Sequence, residues 1–330
     1  MPQGMHQSPE WNDRTRRRLK LREMDVLRTV IQSGSMGKAA AALNMSQPSI
    51  SKAIGALEHT LGVPLLDRHR QGVEPTEYGR ALLECGVAVF DALRQGVQSI
   101  ESLADPTAGE VRIGCNPFLA ATFASAIIDQ LSQSHPRMVF HLVTAYGTTL
   151  YRELSERNVD FLIARRFRSF ADERMEFEVL FDDAYVVAAG VKNPWARQRR
   201  IALADLVNEP WVLRPAESVL GAVVADVFRA SGLDLPRTTV VTDSSEVRMS
   251  LLATGRFLTI LPASALRFPV RRPEFKVLPV RLPGSRVPSE IVTLKNRTLS
   301  PAAQLFIEHA RAIAKPLRNK NDKRWTPKQT

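Results

Sequence analysis

Gly34-Ser35-Met36-Gly37-Lys38-Ala39-Ala40-Ala41-Ala42-Leu43-Asn44-Met45-Ser46-Gln47-Pro48-Ser49-Ile50-Ser51-Lys52 is the stretch that decides the fold of the N-terminal part. Gly34 is placed to stop a preceding helix whose apolar stripe is Met24, Leu27, Val30 and Ile31. Ser35 can cap a short second helix, Met36 to Leu43. Asn44 tolerates the left-handed turn after it. Ser46 caps a third helix, and Pro48 sits in its first turn, where a missing N–H costs little. Ala39 to Ala42 are small enough for the helices to cross closely, so the pattern is a helix-turn-helix. On the third helix Ile50, Ile54, Leu57 and Leu61 point inward. Its front carries Ser46, Gln47, Pro48, Ser49, Ser51 and Lys52. Gln can bond an adenine edge, Ser a base or a phosphate, and Lys can neutralise phosphate or reach guanine.

Working outward, Leu65 to Arg68 and Val73 to Pro75 predict two short strands around His69-Arg70-Gln71-Gly72, a small wing. Thr76 then caps a long helix running to about Ala104. Leu82, Gly86, Val89, Leu93, Gly96, Ile100 and Leu103 alternate spacings of four and three along it, a heptad seam that predicts a partner helix from a second copy of the chain. Residues 1–20 read as a disordered basic arm and 318–330 as a basic tail.

After the linker Asp105-Pro106-Thr107-Ala108-Gly109 the pattern changes to alternating strands and helices. Strands are predicted at Val111–Cys115, Met138–Ala145, Asp160–Ala164, Phe177–Ala189, Trp211–Leu213, Thr239–Thr242, Phe257–Leu261, Phe275–Val280 and Glu290–Leu294, with helices between them. This predicts an α/β unit with parallel sheets, long enough for two lobes. Several strand ends are followed by small polar residues: Asn116, then Thr148 and Thr149, then Ser218, then Ser244. Ligands of open α/β sheets bind at such ends, so these five are the candidate ligand contacts. Arg165, Arg166 and Arg168 follow the third strand, where one could meet a carboxylate.

Charge fits this division. Residues 1–75 hold 11 basic against 7 acidic side chains, and residues 311–330 hold 7 against 1. The excess beside the helix-turn-helix suits phosphate contact. No apolar run approaches the ~20 residues of a membrane span, and no signal peptide is visible, which predicts a cytoplasmic protein. His6, His59, His69, His135, His141 and His309 are scattered without HxxxH spacing. With no GxSxG and no phosphate loop, an enzyme is not expected. Cys85 and Cys115 lack metal spacing and read as buried thiols, so no metal or cofactor is expected.

Beyond these readings, the run from Gly34 to Lys52, continued by Leu57-Glu58, Leu61-Gly62, Leu65-Leu66-Asp67-Arg68 and Thr76-Glu77-Tyr78-Gly79, closely resembles the N-terminal domain of LysR-type transcriptional regulators. Within that family the chain looks nearest to the regulators of sugar-binding-protein genes. The resemblance implies a winged helix-turn-helix over 21–76, a linker and dimerisation helix with hinge over 77–109, and an effector-binding domain over 110–317. That domain would resemble two-lobed periplasmic binding proteins, with a first lobe of 110–186 and 292–317 and a second of 187–291. It places Gln47, Ser49 and Lys52 in the major groove, Ser35 and Thr76 on phosphate, and Arg68 with Arg70 on the wing at the minor groove. It also puts Asn116, Thr148, Thr149, Ser218 and Ser244 around an effector. The implied partners are a double-stranded operator, a small effector that is an organic anion or a sugar, and the chain itself as homodimer or homotetramer. Met36 departs from the family, which usually has an aromatic residue there. The alternative, a solute-binding protein of a transport system, explains two lobes but not the helix-turn-helix.

Overall fold

The computed structural model describes residues 18–69, 72–165, 172–267 and 273–318. The predicted basic arm up to Arg17, Arg70 in the wing, Arg166 and Arg168, and the tail from residue 319 lie outside the described residues. The chain divides between Arg94 and Gln95 into two compact units.

In the first unit, α1 (Leu21–Ser33), α2 (Met36–Ala42) and α3 (Gln47–Leu61) precede β1 (Leu66–His69), β2 (Gly72–Pro75) and the long α4 (Glu77–Ala104). Glycine's missing Cβ sets two stops: Gly34 closes α1 at φ 63° and Gly62 closes α3 at φ 70°. Asn44 takes the left-handed turn after α2 at φ 50°. The core joins Leu27, Val30, Ile50, Ile54 and Leu57 to Leu65 before the wing. Met36 is buried among them. Of the alanine run only Ala39 and Ala40 are buried, while Ala41 and Ala42 face solvent. The predicted cap at Ser35 needs correcting: the residue stands at the N-cap of α2, but its side chain makes no capping hydrogen bond.

The heptad seam of α4 also divides. Leu82 packs on the core of the first unit, and the Met24 side chain lies 3.5 Å from where a Cβ on Gly86 would stand. Beyond them Leu93, Ile100 and Leu103 of the seam are bare, and so is Val97, which the predicted seam did not include. Cys85 lies on an exposed face of the same helix, not buried as expected, whereas Cys115 is buried.

The second unit is built on β3 (Ala108–Cys115), α5 (Pro117–Leu119), a π-helical turn (Ala120–Ala124), α6 (Ser125–Ser134), β4 (Arg137–Thr144), α7 (Gly147–Ser155), β5 (Phe161–Arg165) and β6 (Met175–Gly190). It continues with β7 (Trp211–Leu213), α8 (Val219–Ala230), β8 (Thr238–Val241), α9 (Ser245–Ala253), β9 (Leu258–Pro262), α10 (Ser264–Arg267), β10 (Phe275–Val277), β11 (Arg286–Leu294) and α11 (Pro301–Arg318). The strands follow the order β4-β3-β5-β11-β6-β9-β7-β8, with β10 beside β6.

The expectation of parallel sheets holds only within each half. β3 is parallel to β4 and β5, and β7 is parallel to β8 and β9. Between these groups β11 runs antiparallel to both β5 and β6, and β6 antiparallel to β9. The chain must cross from one half to the other and return. Two long strands side by side do this, paired along β11 with one register shift between Ser289 and Glu290. β6 changes partner from β11 to β9 between Ala184 and Tyr185. The halves have separate cores. One centres on Phe123, Phe161 and Phe306; the other on Trp211, whose ring meets Phe228 edge-on at 5.8 Å.

The first turn of α4 backs directly on the chain before the wing. A Cβ on Gly79 would lie 2.0 Å from the Leu65 carbonyl oxygen. Gly79→Ala is therefore expected to destabilise the first unit by about 1–3 kcal/mol. Urea denaturation followed by circular dichroism checks this, as a lowered midpoint for the transition that contains the helix-turn-helix.

Candidate functional site

On the first unit, the front of α3 is held open. Ser46 Oγ accepts from Ser49 N at 3.3 Å and lies 2.8 Å from Ser49 Oγ, which fixes the first turn. Gln47, Pro48, Ser49 and Lys52 are exposed, and Ser51 is half-buried beside them. Arg68 is exposed on β1. The wing is tied to the α1–α2 turn by Val73 N donating to Gly34 O at 3.0 Å. Glu58 serves structure: its carboxylate accepts from Leu65 N at 2.8 Å and Leu66 N at 3.3 Å, aiming the chain into β1. Thr76 caps α4 by accepting from Gly79 N at 3.0 Å, and its hydroxyl donates to Pro64 O at 2.8 Å. That proton is already committed, whereas the Ser35 hydroxyl has no cap to make.

In the second unit a cavity of about 440 Å³, its mouth included, lies where the two halves meet. Most of it is narrower than a water molecule. Asn116, Phe118, Tyr146 and Arg165 line it from the first half. Arg214, Arg248 and a set of apolar side chains line it from the second, with Tyr185 on the crossing strand β6. The shared position has one cause: Asn116, Tyr146, Arg165, Arg214 and Pro262 all stand at carboxyl ends of strands.

Three buried guanidinium groups dominate it. Arg165 donates to Asp183 Oδ2 at 2.8 Å, and Asp183 also accepts from Ser264 N at 3.2 Å. Burial works against the charge on Arg165, but the Tyr185 oxygen and the Asp183 carboxylate hold it above the usual arginine range. Arg214 donates to Asp243 Oδ1 at 2.6 Å, though Asp243 is largely exposed. Arg248 reaches only the Ile260 carbonyl, at 3.5 Å. Burial, reinforced by the like charge of Arg214, pulls Arg248 below its ordinary value. Each cation lies over an aromatic ring. Arg214 is 3.9 Å from the centre of Tyr146, Arg248 5.0 Å from Phe118 and Arg165 5.9 Å from Tyr185. Burial pushes the Tyr185 phenol up to about 12, so it remains a neutral donor.

Among the five ligand contacts expected from sequence, only Asn116 lines the cavity. Its Oδ1 accepts from Arg165 N at 2.9 Å and its Nδ2 donates to Ala145 O at 3.3 Å, tying three strand ends together. Thr148 and Thr149 are exposed on the first turn of α7. Ser218 and Ser244 are engaged in capping: Ser218 Oγ accepts from Gly221 N at 3.0 Å, and Ser244 Oγ from Val247 N at 3.2 Å. Of the three arginines after β5, Arg165 turns inward. Arg214, Arg248, Tyr146 and Tyr185 were not singled out from sequence. Arg214 directly follows β7 and Tyr146 stands two residues after β4, a signal that reading only small polar residues at strand ends passes over.

Two family models match the chain. One described as a LysR substrate binding domain covers residues 104–315, and one described as a bacterial regulatory helix-turn-helix protein, lysR family, covers residues 21–80. The HTH-type transcriptional regulator GbpR of Azospirillum brasilense is 27% identical over 298 residues, 90% of this chain and 87% of that protein. The crystal structure of CbnR, a LysR family transcriptional regulator, superposes with a TM-score of 0.61 at 22% identity, covering 90% of this chain and 99% of the other. Full-length CbnR complexed with its target DNA superposes with a TM-score of 0.52 at 23% identity, covering 90% and 100%.

The buried Arg165–Asp183 pair yields a stability prediction. Asp183→Ala strands a guanidinium away from water and is expected to cost about 3–5 kcal/mol. Arg165→Met in the same chain should recover a large part of that loss, since it removes the stranded charge. Urea midpoints of the three proteins measure both effects.

Proposed function

The chain belongs to the LysR family of bacterial helix-turn-helix regulators, and from that premise we propose that it reads an operator with α3 and the wing while a small effector in the cavity adjusts the reading. The observation that carries this is the exposed front of α3, fixed by the Ser46 cap and backed by a wing pinned to the α1–α2 turn. Gln47, Ser49 and Lys52 are the proposed major-groove contacts, with Ser46, Pro48 and Ser51 shaping the approach. Ser35 and Thr76 are assigned to phosphate, where Thr76 would have to redirect the hydroxyl proton it now gives to Pro64 O, and Arg68 with Arg70 to the minor groove. CbnR has been solved with its target DNA, which supports the same use of this fold here.

The proposed division is a DNA-reading domain over 21–76, a linker helix and hinge over 77–109, and an effector domain over 110–317. Asn116 is the proposed effector contact among the small polar residues. Thr148, Thr149, Ser218 and Ser244 do not line the cavity, and Ser218 and Ser244 serve to cap their own helices. Regulation by binding, without catalysis and in the cytoplasm, completes the reading. Among the described residues no helix is long and apolar enough to cross a membrane, and no group of His, Cys, Asp and Glu is arranged to hold a metal ion. A transport role is not favoured, because it leaves the helix-turn-helix unexplained.

Selection of a preferred duplex from a random pool by the full chain supplies the operator. On that duplex Gln47→Ala is expected to cost about 1–3 kcal/mol, with binding to random DNA nearly unchanged. Lys52→Ala should weaken both and lower the salt slope by about 1. Equal losses for Gln47→Ala on selected and random duplexes would remove it from base reading.

The bare row Leu93, Val97, Ile100 and Leu103 is the proposed seam to a second copy. Leu93→Asp should give monomers by light scattering and weak binding to a two-fold operator. A variant that remains dimeric through α4 would refute that seam.

A further inference from the structure

We propose that the cavity between the two halves of the second unit takes a small, acceptor-only dianion, such as a short dicarboxylate or a phosphate group. The inference rests on the effector role assigned to this cavity and adds the chemical class of its ligand.

Charge is the first argument. Three buried guanidinium groups face the cavity, and among the described residues no Asp or Glu lines it. Arg165 is matched by the buried carboxylate of Asp183. Among the described residues Arg214 pairs with Asp243, which solvent largely hydrates, and Arg248 hydrogen-bonds a backbone carbonyl and shares the charge of the same exposed Asp243. Two cations therefore sit out of water without a buried counter-charge, an arrangement that is costly until something negative arrives. Their aromatic stacking offsets part of that cost.

Hydrogen-bond polarity is the second argument. Arg165 Nε, Arg214 Nε and Nη1, Arg248 Nε and the hydroxyls of Tyr146 and Tyr185 are buried without a hydrogen-bond partner among the described residues. The four nitrogen positions can only donate. The one amide oxygen present, Asn116 Oδ1, is engaged by Arg165 N. A sugar needs acceptors for its hydroxyl protons, and this lining offers almost none beyond the two phenol oxygens. Carboxylate oxygens, and those of a fully ionised phosphate monoester or sulfate, accept without donating, and the guanidinium fork matches them two at a time.

Geometry supplies the third. Arg214 and Arg248 come from the second half, yet they stack on Tyr146 and Phe118 of the first. The same two cations that would bind the ligand thus hold the halves together. A dianion drawing both guanidinium groups onto itself exchanges these stacks for charge-assisted bonds. It can then shift the relative orientation of the halves by its differential affinity for the two arrangements. As it stands the cavity has room for about one water molecule, so entry of even a short dianion requires the two halves to part.

The test titrates the full chain, at constant ionic strength in chloride, with sulfate, inorganic phosphate, oxalate, malonate and succinate, alongside acetate and galactose. Calorimetry and thermal shift are the readouts. At least one dianion should bind tenfold or more tightly than acetate and raise the melting temperature, with galactose inert. The phosphate and dicarboxylate arms tell the two sources apart. Arg214→Lys, which keeps the charge but loses the fork, and Tyr146→Phe, which keeps the ring, should each weaken the best dianion at least tenfold and fivefold respectively. Arg229→Gln, an exposed arginine of the same half paired with Asp226, should retain wild-type affinity. Galactose or acetate binding as tightly as every dianion overturns the class. So does a panel in which no dianion binds at millimolar concentration, or equal losses in Arg214→Lys and Arg229→Gln. Duplex binding by the wild-type chain, measured in parallel, separates the two readings. A chain that takes the dianion but no DNA keeps the ligand class and loses the regulatory role; the reverse loses only the class.

Discussion

The Arg165–Asp183 ion pair lies where the second unit is most constrained. β6 passes there from one half to the other, and Asp183 on that strand receives Arg165 from the end of β5 and the amide of Ser264 at the start of α10. A charge pair at this depth is expensive to desolvate, and its value depends on every remaining lone pair finding a donor. Asp183 meets that condition by collecting partners from both halves. The crossing strand therefore cannot slide without stranding a charge, and the cavity beside it inherits a fixed floor.

A second buried carboxylate does comparable work at the far end of the first half. Asp160, fully buried, accepts from Gln95 Nε2 at 3.1 Å, Arg112 N at 2.8 Å and Arg297 Nη2 at 3.1 Å. Gln95 belongs to the last turns of α4, so the end of the long helix is anchored to the same half that supplies Asn116, Tyr146 and Arg165 to the cavity. The link between the helix end and that half is a short set of buried hydrogen bonds.

How much the sequence reveals differs between the two units for a definite reason. The helix-turn-helix is held by interactions a few residues apart. Gly34 stops α1, Asn44 turns, Ser46 caps, and Ile50, Ile54 and Leu57 fall on one face by helical period. Such features are legible because local sequence carries all of their chemistry. In the second unit the same local reading found the strand ends, with Asn116 and Arg165, but not Arg214, Arg248, Tyr146 or Tyr185 of the cavity lining. Ser218 and Ser244 are small polar residues after strands, and they spend their hydroxyls on their own helix starts. Cys85 and half of the α4 seam mark the same limit, because which face of a helix is covered depends on what packs against it.

By itself, the sequence determined the order of elements, the helix-turn-helix with its exposed reading edge, the long helix and the two-lobed α/β character, since each follows from periodicity, capping and turn chemistry over short spans. Only the tertiary structure decided that the halves are joined by antiparallel crossing strands, and that Arg165, Arg214 and Arg248 share one cavity with Tyr146 and Tyr185. Those five residues are scattered along the chain, and no local rule relates them. Burial brings them together, and removing water is also what turns three ordinary arginines into a concentrated positive site.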